Sequence, residues 1–304
     1  MERGLVFDIE RFSTKDGPGV RTVVFFKGCN MACPWCHNPE GIHGGPELLC
    51  QPEVCIACES CAGVCPEDVH IFTGDVHIFQ KERCSQCLQC TQMCFSGALR
   101  ACGKEMTVEQ IMQEILPDKA LYDRTGGGVT LSGGEVMVQG MFATRLAGAC
   151  AAQGIPCAIE TNLSLPWDRY QQILPFVDMV FADVKHLDSQ VHKMWTGIGN
   201  AQILSNLDRL ESYGVRYAIR TPVIPGFNDA KKIIGGIAEQ LAGKKNLEYY
   251  ELLTYNPLGG SKGLPVHPPR QERFPELSRT RMRELAAVAA KYVCTRLDGS
   301  RCNQ

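Results

Sequence analysis

Three cysteines stand within eight positions near the start of the chain, in the segment GCNMACPWCHNPE at 28–40. Cys29, Cys33 and Cys36 have the spacing C-x3-C-x2-C, and no fourth cysteine follows at short range. A structural metal site uses four protein ligands, whereas a catalytic metal site keeps one position open for substrate. Three thiolates can hold three irons of a four-iron cluster. The spacing therefore predicts a catalytic cluster whose fourth iron is left for a substrate.

Two further cysteine runs, CIACESCAGVCP (55–66) and CSQCLQCTQMC (84–94), share the pattern C-x2-C-x2-C-x3-C. In bacterial ferredoxins each run of this kind supplies three ligands to one four-iron cluster and its last cysteine to the other. Zinc sites usually take two close pairs separated by a longer spacer, so the pattern favours iron–sulfur clusters over zinc. The predicted ligands are Cys55, Cys58, Cys61 and Cys94 for one cluster, and Cys65, Cys84, Cys87 and Cys90 for the other.

The remaining cysteines lie outside these motifs. Cys50 and Cys102 flank the cysteine-rich segment and are interpreted as loop or buried thiols, with a role as spare ligands left open. The total of 17 is odd, which excludes complete disulfide pairing within the chain. Reduced, clustered cysteines point to metal. The isolated cysteines are expected to be packing or surface residues, namely Cys150, Cys157, Cys294 and Cys302.

The bulk composition gives no support to a nucleic-acid or membrane partner. Lys and Arg total 31 and Asp and Glu total 33, for a net charge of −2, and no basic run exceeds two residues. No apolar run approaches the ~18 residues of a membrane span. The N-terminus MERGLVFDIERF lacks the apolar core of a secretory signal. We therefore expect a cytoplasmic protein.

Hydrophobic patterning predicts how the chain positions these cysteines. Short apolar strands alternate with helical stretches, which predicts a parallel sheet with right-handed crossovers. The strands are predicted at 20–28, 128–134, 155–162, 178–185, 215–225 and 247–256. The helices are predicted at 107–116, 136–153, 166–174, 200–213, 229–242 and 275–291. Residues 1–44 and 105–304 then form an α/β domain, and residues 45–104 form a cysteine-rich insert in its first crossover.

Chemically active side chains follow five of the six predicted strands. They are Cys29–Cys36, Ser132–Glu135, Glu160–Asn162, Asp183–Lys185 and Tyr255–Asn256. An open doubly wound sheet and an incomplete barrel both place active sites at the carboxyl ends of parallel strands. Ordinary loop polarity is the alternative, and five such loops weaken it. We therefore expect one active site along this edge.

The three-cysteine loop resembles the hallmark of the radical S-adenosylmethionine (SAM) superfamily, which follows the first strand of a partial (βα)6 barrel. DGPGVRTVVFFKGCNMACPWCHNPE (16–40), GGGVTLSGGEVMVQ (126–139) and DVK (183–185) resemble motifs of the glycyl-radical-enzyme activating enzymes. IRTPVIPGFND (219–229) and ELLTYNPLGGSK (251–262) continue the resemblance in the same order. The ferredoxin-like insert is similar to that of the group serving dehydratases, decarboxylases and carbon–sulfur or carbon–nitrogen lyases.

The resemblance implies contacts to every part of SAM, whose amino nitrogen and carboxylate chelate the open iron. The SGGE turn holds the amino end, where glycines permit close backbone approach, although Gly-Gly also signals an ordinary tight turn. Lys185 pairs with the carboxylate, and Arg220 is a further carboxylate partner that a structural ion pair explains almost as well. The implied SAM-binding residues are Trp35, Cys36, His37, Ser132, Gly133, Gly134, Glu135, Asp183, Val184, Lys185, Arg220 and Asn256.

Two implied contacts involve departures from the family pattern. Asn256 occupies a place where some relatives have a ribose-contacting histidine, and an amide can still bond a hydroxyl. Glu160, Thr161 and Asp183 resemble a site for a monovalent cation, Na⁺ or K⁺, beside SAM. Oxygen ligands suit such a hard ion, although the family more often has aspartate at the position of Glu160.

The implied activity is that of a radical SAM oxidoreductase with three [4Fe-4S] clusters. An electron from a low-potential donor such as flavodoxin or ferredoxin cleaves SAM to methionine and a 5′-deoxyadenosyl radical, which removes hydrogen from a glycine of a partner glycyl radical enzyme. The insert clusters relay electrons or shape partner docking. No residue selects the partner, and isethionate sulfite-lyase is only one candidate. The alternatives are a radical SAM enzyme acting on a small molecule, a multi-cluster electron-transfer protein and a zinc-binding interaction module.

Overall fold

The computed structural model describes residues 2–257, 259, 274–300 and 302. Its strands are β1 Gly4–Ser13, β2 Arg21–Phe26, β3 Glu47–Cys50, β4 His70–Thr73, β5 Val76–Phe79, β6 Leu99–Cys102, β7 Lys104–Met106, β8 Gly128–Gly133, β9 Cys157–Thr161, β10 Met179–Asp183, β11 Tyr217–Val223, β12 Leu247–Thr254 and β13 Thr295–Leu297.

The helices of the described residues are α1 Gln89–Met93, α2 Val108–Ile115, α3 Lys119–Thr125, α4 Gly140–Ala152, α5 Trp167–Ile173, α6 Ser189–Thr196, α7 Ala201–Tyr213, α8 Lys231–Leu241 and α9 Arg279–Ala289. Short 3-10 turns occur at Pro39–Gly41, Pro52–Val54, Ala62–Val64, Lys81–Arg83, Leu116–Asp118, Val136–Gln139 and Leu174–Phe176. None of these helices is both long enough and apolar enough to cross a membrane.

The described residues form one large nine-stranded sheet, in the order β13-β12-β11-β10-β9-β8-β2-β1-β7. The seven strands from β13 to β2 in this order are parallel to their neighbours. The β1 strand runs antiparallel to both of its neighbours, β2 and β7. The six predicted strands correspond to β2 and β8 to β12, which lie side by side in chain order. The predicted α/β class with a mostly parallel sheet is therefore confirmed.

The sheet extends beyond the predicted strands at both edges. The N-terminal segment forms β1, the last segment forms β13, and β7 lies beyond β1. Three short helices of the described residues, α1, α3 and α6, were also not predicted. The α6 helix has a recognisable signal, because the Asp188 carboxylate caps it by accepting from the backbone N–H groups of Gln190 at 2.8 Å and Val191 at 3.0 Å.

The core lies where helices cover the parallel strands. Val129 and Leu131 of β8 are completely buried, as are Ala143 and Leu146 of α4, which covers that part of the sheet. The α2 helix buries Ile111, Met112 and Ile115 and begins with a capping box between Thr107 and Gln110. Such two-sided burial explains why the strands read as continuous apolar runs.

All four isolated cysteines can be compared with their predicted roles. Cys150 and Cys157 are completely buried, which confirms the packing role predicted for both. The prediction is wrong for Cys294 and Cys302, which form a disulfide. The reason is tertiary, because β13 pairs with β12 and returns the chain so that Cys302 packs against the sheet.

The cysteine-rich insert has its own small framework. Strands β3 and β6 pair antiparallel, with Glu47 opposite Cys102 and Cys50 opposite Leu99, so the two ends of the insert are joined. A separate apolar cluster contains Leu48, Leu99, Cys61 and Cys90. The predicted boundaries at 45 and 104 fall beside this paired neck, and the division into two domains stays a prediction.

A buried lysine fastens the insert to the end of β2. The Lys27 side chain is fully buried, and its Nζ donates to the backbone oxygen of Glu40 at 2.6 Å and to Glu47 Oε2 at 2.9 Å. Glu47 is 12 % exposed and also faces Lys81 at 3.6 Å. Glu47 therefore keeps a second ion-pair partner if Lys27 is removed, whereas Lys27 loses its carboxylate partner if Glu47 is removed.

Removing either partner of this pair should destabilise the protein unequally. Glu47→Gln leaves the Lys27 charge buried and poorly compensated, for which we expect a loss of about 3 kcal/mol in the free energy of unfolding. Lys27→Met should cost less, because Glu47 keeps Lys81. Anaerobic denaturant titration measures both, and Glu248→Gln is the control, since its exposed pair with Arg216 is worth less than about 1 kcal/mol. Equal losses in all three variants would contradict the anchoring role.

Candidate active site

The three-cysteine loop closes on itself directly after β2. Gly28 N–H donates to Gly41 O at 2.8 Å and Cys29 N–H donates to Ile42 O at 3.0 Å, so residues 28–42 form a tied loop. Cys33 is buried and Cys29 and Cys36 are partly buried. Burial raises the pKa of each thiol to about 12, with smaller contributions from its neighbours in the loop. Buried thiols of this kind ionise readily only when a metal compensates them, so the donor set fits an iron–sulfur cluster.

Lys185 supplies positive charge beside these thiols. Its side chain is buried just after β10 and forms an ion pair with the Asp183 carboxylate. Burial alone lowers the pKa of Lys185, but Asp183 and the thiols of Cys33 and Cys29 outweigh that effect and raise it. The lysine therefore stays charged and lowers the pKa of all three cysteines. The structure brings Lys185 and the three-cysteine loop together, as the order of motifs implies.

The SGGE turn packs directly against the cysteine loop. Gly134 N–H donates to Phe26 O at 2.9 Å, and Glu135 N–H donates to Gly28 O at 2.8 Å. A Cβ atom at Gly134 would lie 2.2 Å from Gly41 O and 2.4 Å from Gly28 O. Gly133 has a φ of +123°, a backbone angle that residues other than glycine rarely adopt. The two glycines are therefore required by contact with the chain's own backbone, whatever they do for a ligand.

Glu135 braces the loops at this edge of the sheet. Its carboxylate is completely buried and accepts hydrogen bonds from Met137 N at 3.1 Å, Thr161 Oγ1 at 2.8 Å and Asn162 N at 2.7 Å. Burial raises its pKa to about 7, and the three donors oppose that shift. Glu135 thus ties the turn after β8 to the turn after β9, where Asn162 Nδ2 also lies 3.9 Å from Cys29 Sγ.

An ion-pair network near this edge joins β9, β11 and β12 and crosses β10, which lies between β9 and β11. Arg220 forms an ion pair with Glu160, and its Nε donates to Glu251 Oε2 at 3.0 Å. Glu160 Oε2 also accepts from Ser132 Oγ at 2.5 Å. Burial lowers the pKa of Arg220, but Glu160 and Glu251 outweigh it and keep the guanidinium charged. The structure thus favours the structural ion pair that the sequence left open for Arg220.

The residues predicted to bind a monovalent cation are already engaged with the chain's own polar and charged groups. Thr161 donates to Glu135, Glu160 faces Arg220 and Ser132, and Asp183 faces Lys185. Adjacent strands carry these residues, since Thr161 of β9 lies opposite Ala182, which precedes Asp183 in β10. The cation site stays a prediction.

The predicted adenine and ribose contacts lie around an aromatic cluster. The Trp35 ring is buried, with ring centroids 4.7 Å from Phe227 and 6.1 Å from Trp195. His37 and Asn256 are exposed, and Val184 is buried. A Cβ at Gly259 would lie 2.1 Å from Cys36 O, so the chain after β12 reaches the cysteine loop. Residues 258 and 260–262 of the predicted ELLTYNPLGGSK motif lie outside the described residues.

The insert cysteines lie near one another, and their division into two ligand sets stays a prediction. An open-mouthed pocket is lined by Cys55, Cys58, Cys61 and Cys94, the first predicted set. Burial raises the pKa of Cys90 to about 12, and neighbouring thiols add to this rise: Cys84, Cys87 and Cys65 of its own predicted set and Cys61 of the first set. Thiols gathered in this way suit iron–sulfur clusters.

The two cysteine runs also share an unusual backbone conformation. Ala57 and Glu59 flank the second cysteine of the first run with φ of +52° and +58°. Gln86 and Leu88 flank the second cysteine of the other run with φ of +57° and +61°. Positive φ at a residue other than glycine is uncommon and is favoured where function holds the backbone in place. Its exact recurrence in both runs indicates two loops shaped for the same task.

Two histidines beside the first set were not predicted. His70 and His77 are buried, and His77 Nδ1 lies 3.7 Å from Cys55 Sγ. A repeated VHIF at 69–72 and 76–79 is the sequence signal that identifies the hairpin carrying them.

The comparisons with known proteins agree with this geometry. Residues 81–234 match the model of the Radical SAM superfamily. The structure of SuiB from Streptococcus suis bound to S-adenosylmethionine shares the fold, with a TM-score of 0.50 and 14 % identity over 65 % of this chain and 44 % of that one. The chain therefore belongs to the radical SAM superfamily.

Two relatives define its place within that superfamily. The (2S)-3-sulfopropanediol dehydratase activating enzyme of Klebsiella oxytoca is 36 % identical over 298 residues, which cover 95 % of this chain and 93 % of the relative. The isethionate sulfite-lyase activating enzyme of Desulfovibrio desulfuricans is 38 % identical over 268 residues, or 86 % of each chain. The chain is a member of the glycyl-radical-enzyme activating enzymes, which are radical SAM oxidoreductases.

Proposed function

We propose that this activating enzyme binds three [4Fe-4S] clusters and SAM, and generates a glycyl radical on a separate partner enzyme. The observation that carries the proposal is the meeting of the tied three-cysteine loop, the SGGE turn and Lys185 at one edge of the sheet. Three thiols and an unpaired fourth position fit a cluster that seats a substrate. The open edge of a partial (βα)6 barrel leaves room for a peptide loop of the partner.

The residues of this edge have distinct tasks. Cys29, Cys33 and Cys36 hold the cluster, and Lys185 offers a point charge to the SAM carboxylate. Ser132, the two glycines and Glu135 position the amino end. Trp35, Cys36 and His37 line the adenine, and Asn256 meets the ribose. When bound, the cluster and SAM together supply a reducing electron and a carbon radical able to take hydrogen from glycine.

Arg220 and Glu160 act on this site indirectly. Their ion pair, completed by Glu251, fixes β9, β11 and β12 relative to one another. Ser132 joins the same network through Glu160, so the turn after β8 is fixed too. We therefore assign Arg220 a positioning role in place of direct contact with the SAM carboxylate. Thr161 and Asp183 remain candidates, with Glu160, for a monovalent cation.

The insert holds the other two clusters in this proposal. Its matched loops and the pocket lined by Cys55, Cys58, Cys61 and Cys94 support ligation of both. A flavodoxin or ferredoxin is the proposed electron donor. The two clusters then relay electrons to the SAM site or shape the docking of the partner.

The partner is proposed to be a glycyl radical enzyme of the dehydratase, decarboxylase or carbon–sulfur or carbon–nitrogen lyase type. The names of the relatives span these chemistries, since they include activating enzymes for a dehydratase and a sulfite-lyase. Others are named for indoleacetate decarboxylase and choline trimethylamine-lyase. Isethionate sulfite-lyase is one candidate among these.

Anaerobic incubation with SAM, a reductant and one purified enzyme of each type tests the proposal. We expect a glycine-centred electron paramagnetic resonance (EPR) signal on one partner, with 5′-deoxyadenosine formed in equal amount. The control is the same partner with its radical-bearing glycine changed to alanine, which should give no such signal. Turnover of a free metabolite without any protein radical would support the small-molecule alternative instead. Absence of 5′-deoxyadenosine under all conditions would support the electron carrier.

A further inference from the structure

The β4–β5 hairpin of the insert buries histidines and exposes aliphatic side chains, the reverse of what an apolar core favours. Its inward residues include His70 and His77, which are 5 % and 8 % exposed, while Val76 and Ile78 point outward at 60 % and 47 %. A shift of one residue in strand register would exchange the two faces and bury the aliphatic side chains. Burial of polar side chains costs free energy unless they are hydrogen-bonded. The observed register therefore indicates that the histidines have a task inside the insert.

Each histidine ring stacks on the ring of a phenylalanine in the opposite strand of the hairpin. His77 stacks on Phe72 with ring centroids 4.6 Å apart and ring planes 6° apart. His70 stacks on Phe79 at 5.2 Å and 19°. The same residues are directly opposite in the strand register. Stacking on both partners fixes the ring planes and hence the directions of the ring nitrogens.

The two rings form a line of contacts that ends at a cluster ligand. His70 Nδ1 lies 3.0 Å from His77 Nε2, and His77 Nδ1 lies 3.7 Å from Cys55 Sγ. His77 also lines the pocket bounded by Cys55 and the other three cysteines of the first set. His70 Nε2 is buried and has no hydrogen-bond partner among the described residues.

One assignment of protons satisfies every contact. A cysteine sulfur that ligates iron is a thiolate and can only accept, so His77 Nδ1 must carry the proton that points at it. Neutral His77 then accepts at Nε2, and His70 must donate from Nδ1. Neutral His70 keeps no proton on Nε2, which leaves a bare lone pair at the ring atom of this pair that has no hydrogen-bond partner among the described residues. An unpaired acceptor is tolerated better there than a buried unpaired N–H.

We propose that His77 donates a hydrogen bond to the Cys55 ligand sulfur and thereby raises the reduction potential of the Cys55/Cys58/Cys61/Cys94 cluster above that of the other insert cluster. Hydrogen bonds to the sulfurs are among the factors that set iron–sulfur potentials. His70 is a positioning residue that fixes the tautomer of His77, as outer partners do for metal-bound groups. The inference rests on the proposed pair of insert clusters.

The second ligand set lacks an equivalent donor. Among the described residues, its sulfurs receive the Gln86 N–H at Cys84, 3.4 Å away, and no side-chain hydrogen bond. In the first set, His77 Nδ1 faces the sulfur of Cys55. The sulfur of Cys94 lies 3.6 Å from Ser96 Oγ and accepts a hydrogen bond from Leu99 N–H at 3.2 Å. The two clusters have the same ligands and loop shapes, so this difference should separate their potentials. The first cluster is then the one that is reduced first and holds the electron.

The same side chains allow a rival arrangement. One ligand atom each from Cys61, His70 and His77 lies within 4.8 Å of the other two, close enough for a single metal ion. Zinc bound there would take Cys61 away from the cluster. Metal analysis of the purified protein distinguishes the two arrangements.

The test is an EPR-monitored redox titration of the reconstituted full-length protein. The SAM cluster is recognised because its signal changes on addition of SAM, which leaves the two insert clusters to be followed. In His77→Phe, which keeps the stack on Phe72, we expect one insert cluster to become harder to reduce. Its ratio of reduced to oxidised form at a fixed potential should fall about tenfold, which is about 59 mV for one electron. The other insert cluster should be unchanged.

Two amide variants serve as the matched pair. Asn at position 77 places an N–H where Nδ1 lies, and Gln places it where Nε2 lies, so His77→Asn should keep the wild-type potential and His77→Gln should not. Unchanged potentials in His77→Phe, with all clusters present, overturn the proposal. If His77→Phe loses its cluster, equal potentials in the Asn and Gln variants overturn it. Wild-type protein with zinc in place of one insert cluster contradicts the cluster assignment itself, and the inference with it.

Discussion

Cys33→Ala should abolish reductive cleavage of SAM while leaving both insert clusters in place. Iron content should fall from about twelve to about eight per chain, because one four-iron cluster is lost and two remain. Cys33 is buried beside Lys185, in a loop that is separate in sequence from every cysteine of the insert. Anaerobic iron and sulfide analysis measures the first effect, and formation of 5′-deoxyadenosine with dithionite as reductant measures the second.

A buried cysteine away from the site supplies the control for this substitution. Cys150 lies on α4 with its Sγ 3.8 Å from Met112 Sδ, and it belongs to no predicted ligand set. Cys150→Ala should therefore lower stability by a core truncation yet retain all iron and SAM cleavage. Continued SAM cleavage in Cys33→Ala would show that the open cluster is held elsewhere. Loss of all twelve irons would instead tie the insert clusters to the three-cysteine loop.

The parallel strands could be predicted because strands buried on both faces consist of continuous runs of apolar residues. In β8, Val129, Thr130 and Leu131 are completely buried, so both faces of the strand must be tolerant of an apolar environment. Strands of this type in a parallel sheet bring their carboxyl ends to one edge. That rule is sufficient to bring the three-cysteine loop, the SGGE turn and Asp183–Lys185 together before any coordinates are known.

The edge strands follow weaker signals. The β1 strand pairs antiparallel with β2, but its register shifts between Val6 and Asp8 and again between Glu10 and Ser13. Irregularities of this kind break the alternation of apolar and polar residues on which strand prediction depends. The disulfide between Cys294 and Cys302 is equally hidden, because it forms only once β13 has paired with β12.

Contacts across strands could not be predicted from local sequence. Glu160 and Arg220 are 60 residues apart, and only the order β9-β10-β11 brings their side chains together across Phe181. The sequence therefore left Arg220 open between a ligand contact and a structural pair. The histidine hairpin was missed for another reason: its alternating pattern is compatible with either face pointing inward, and only the neighbouring cysteines decide which.

Gly134→Ala should disable the active site through the backbone alone. The added Cβ would lie 2.2 Å from Gly41 O and 2.4 Å from Gly28 O, more than 1 Å closer than ordinary contact allows. Both oxygens belong to the tied loop of Cys29, Cys33 and Cys36, so relief of the clash must separate that loop from the SGGE turn. A displacement of about 1 Å at reacting groups costs roughly a hundredfold in rate. We expect that loss in 5′-deoxyadenosine formation, with a loss of about 3 kcal/mol in stability from overpacking.

Gly44→Ala separates this effect from any general intolerance of alanine near the cysteine loop. A Cβ at Gly44 meets no atom within 4 Å, and its φ lies outside the positive range that side chains rarely adopt, so activity and stability should stay at the wild-type level. If Gly134→Ala retains full SAM cleavage, the SGGE turn is not held against the cysteine loop as described. If it retains iron but loses SAM binding, the turn positions the substrate. Loss of four irons would show that the turn first supports the cluster, because the displaced loop then no longer presents three thiolates to one site.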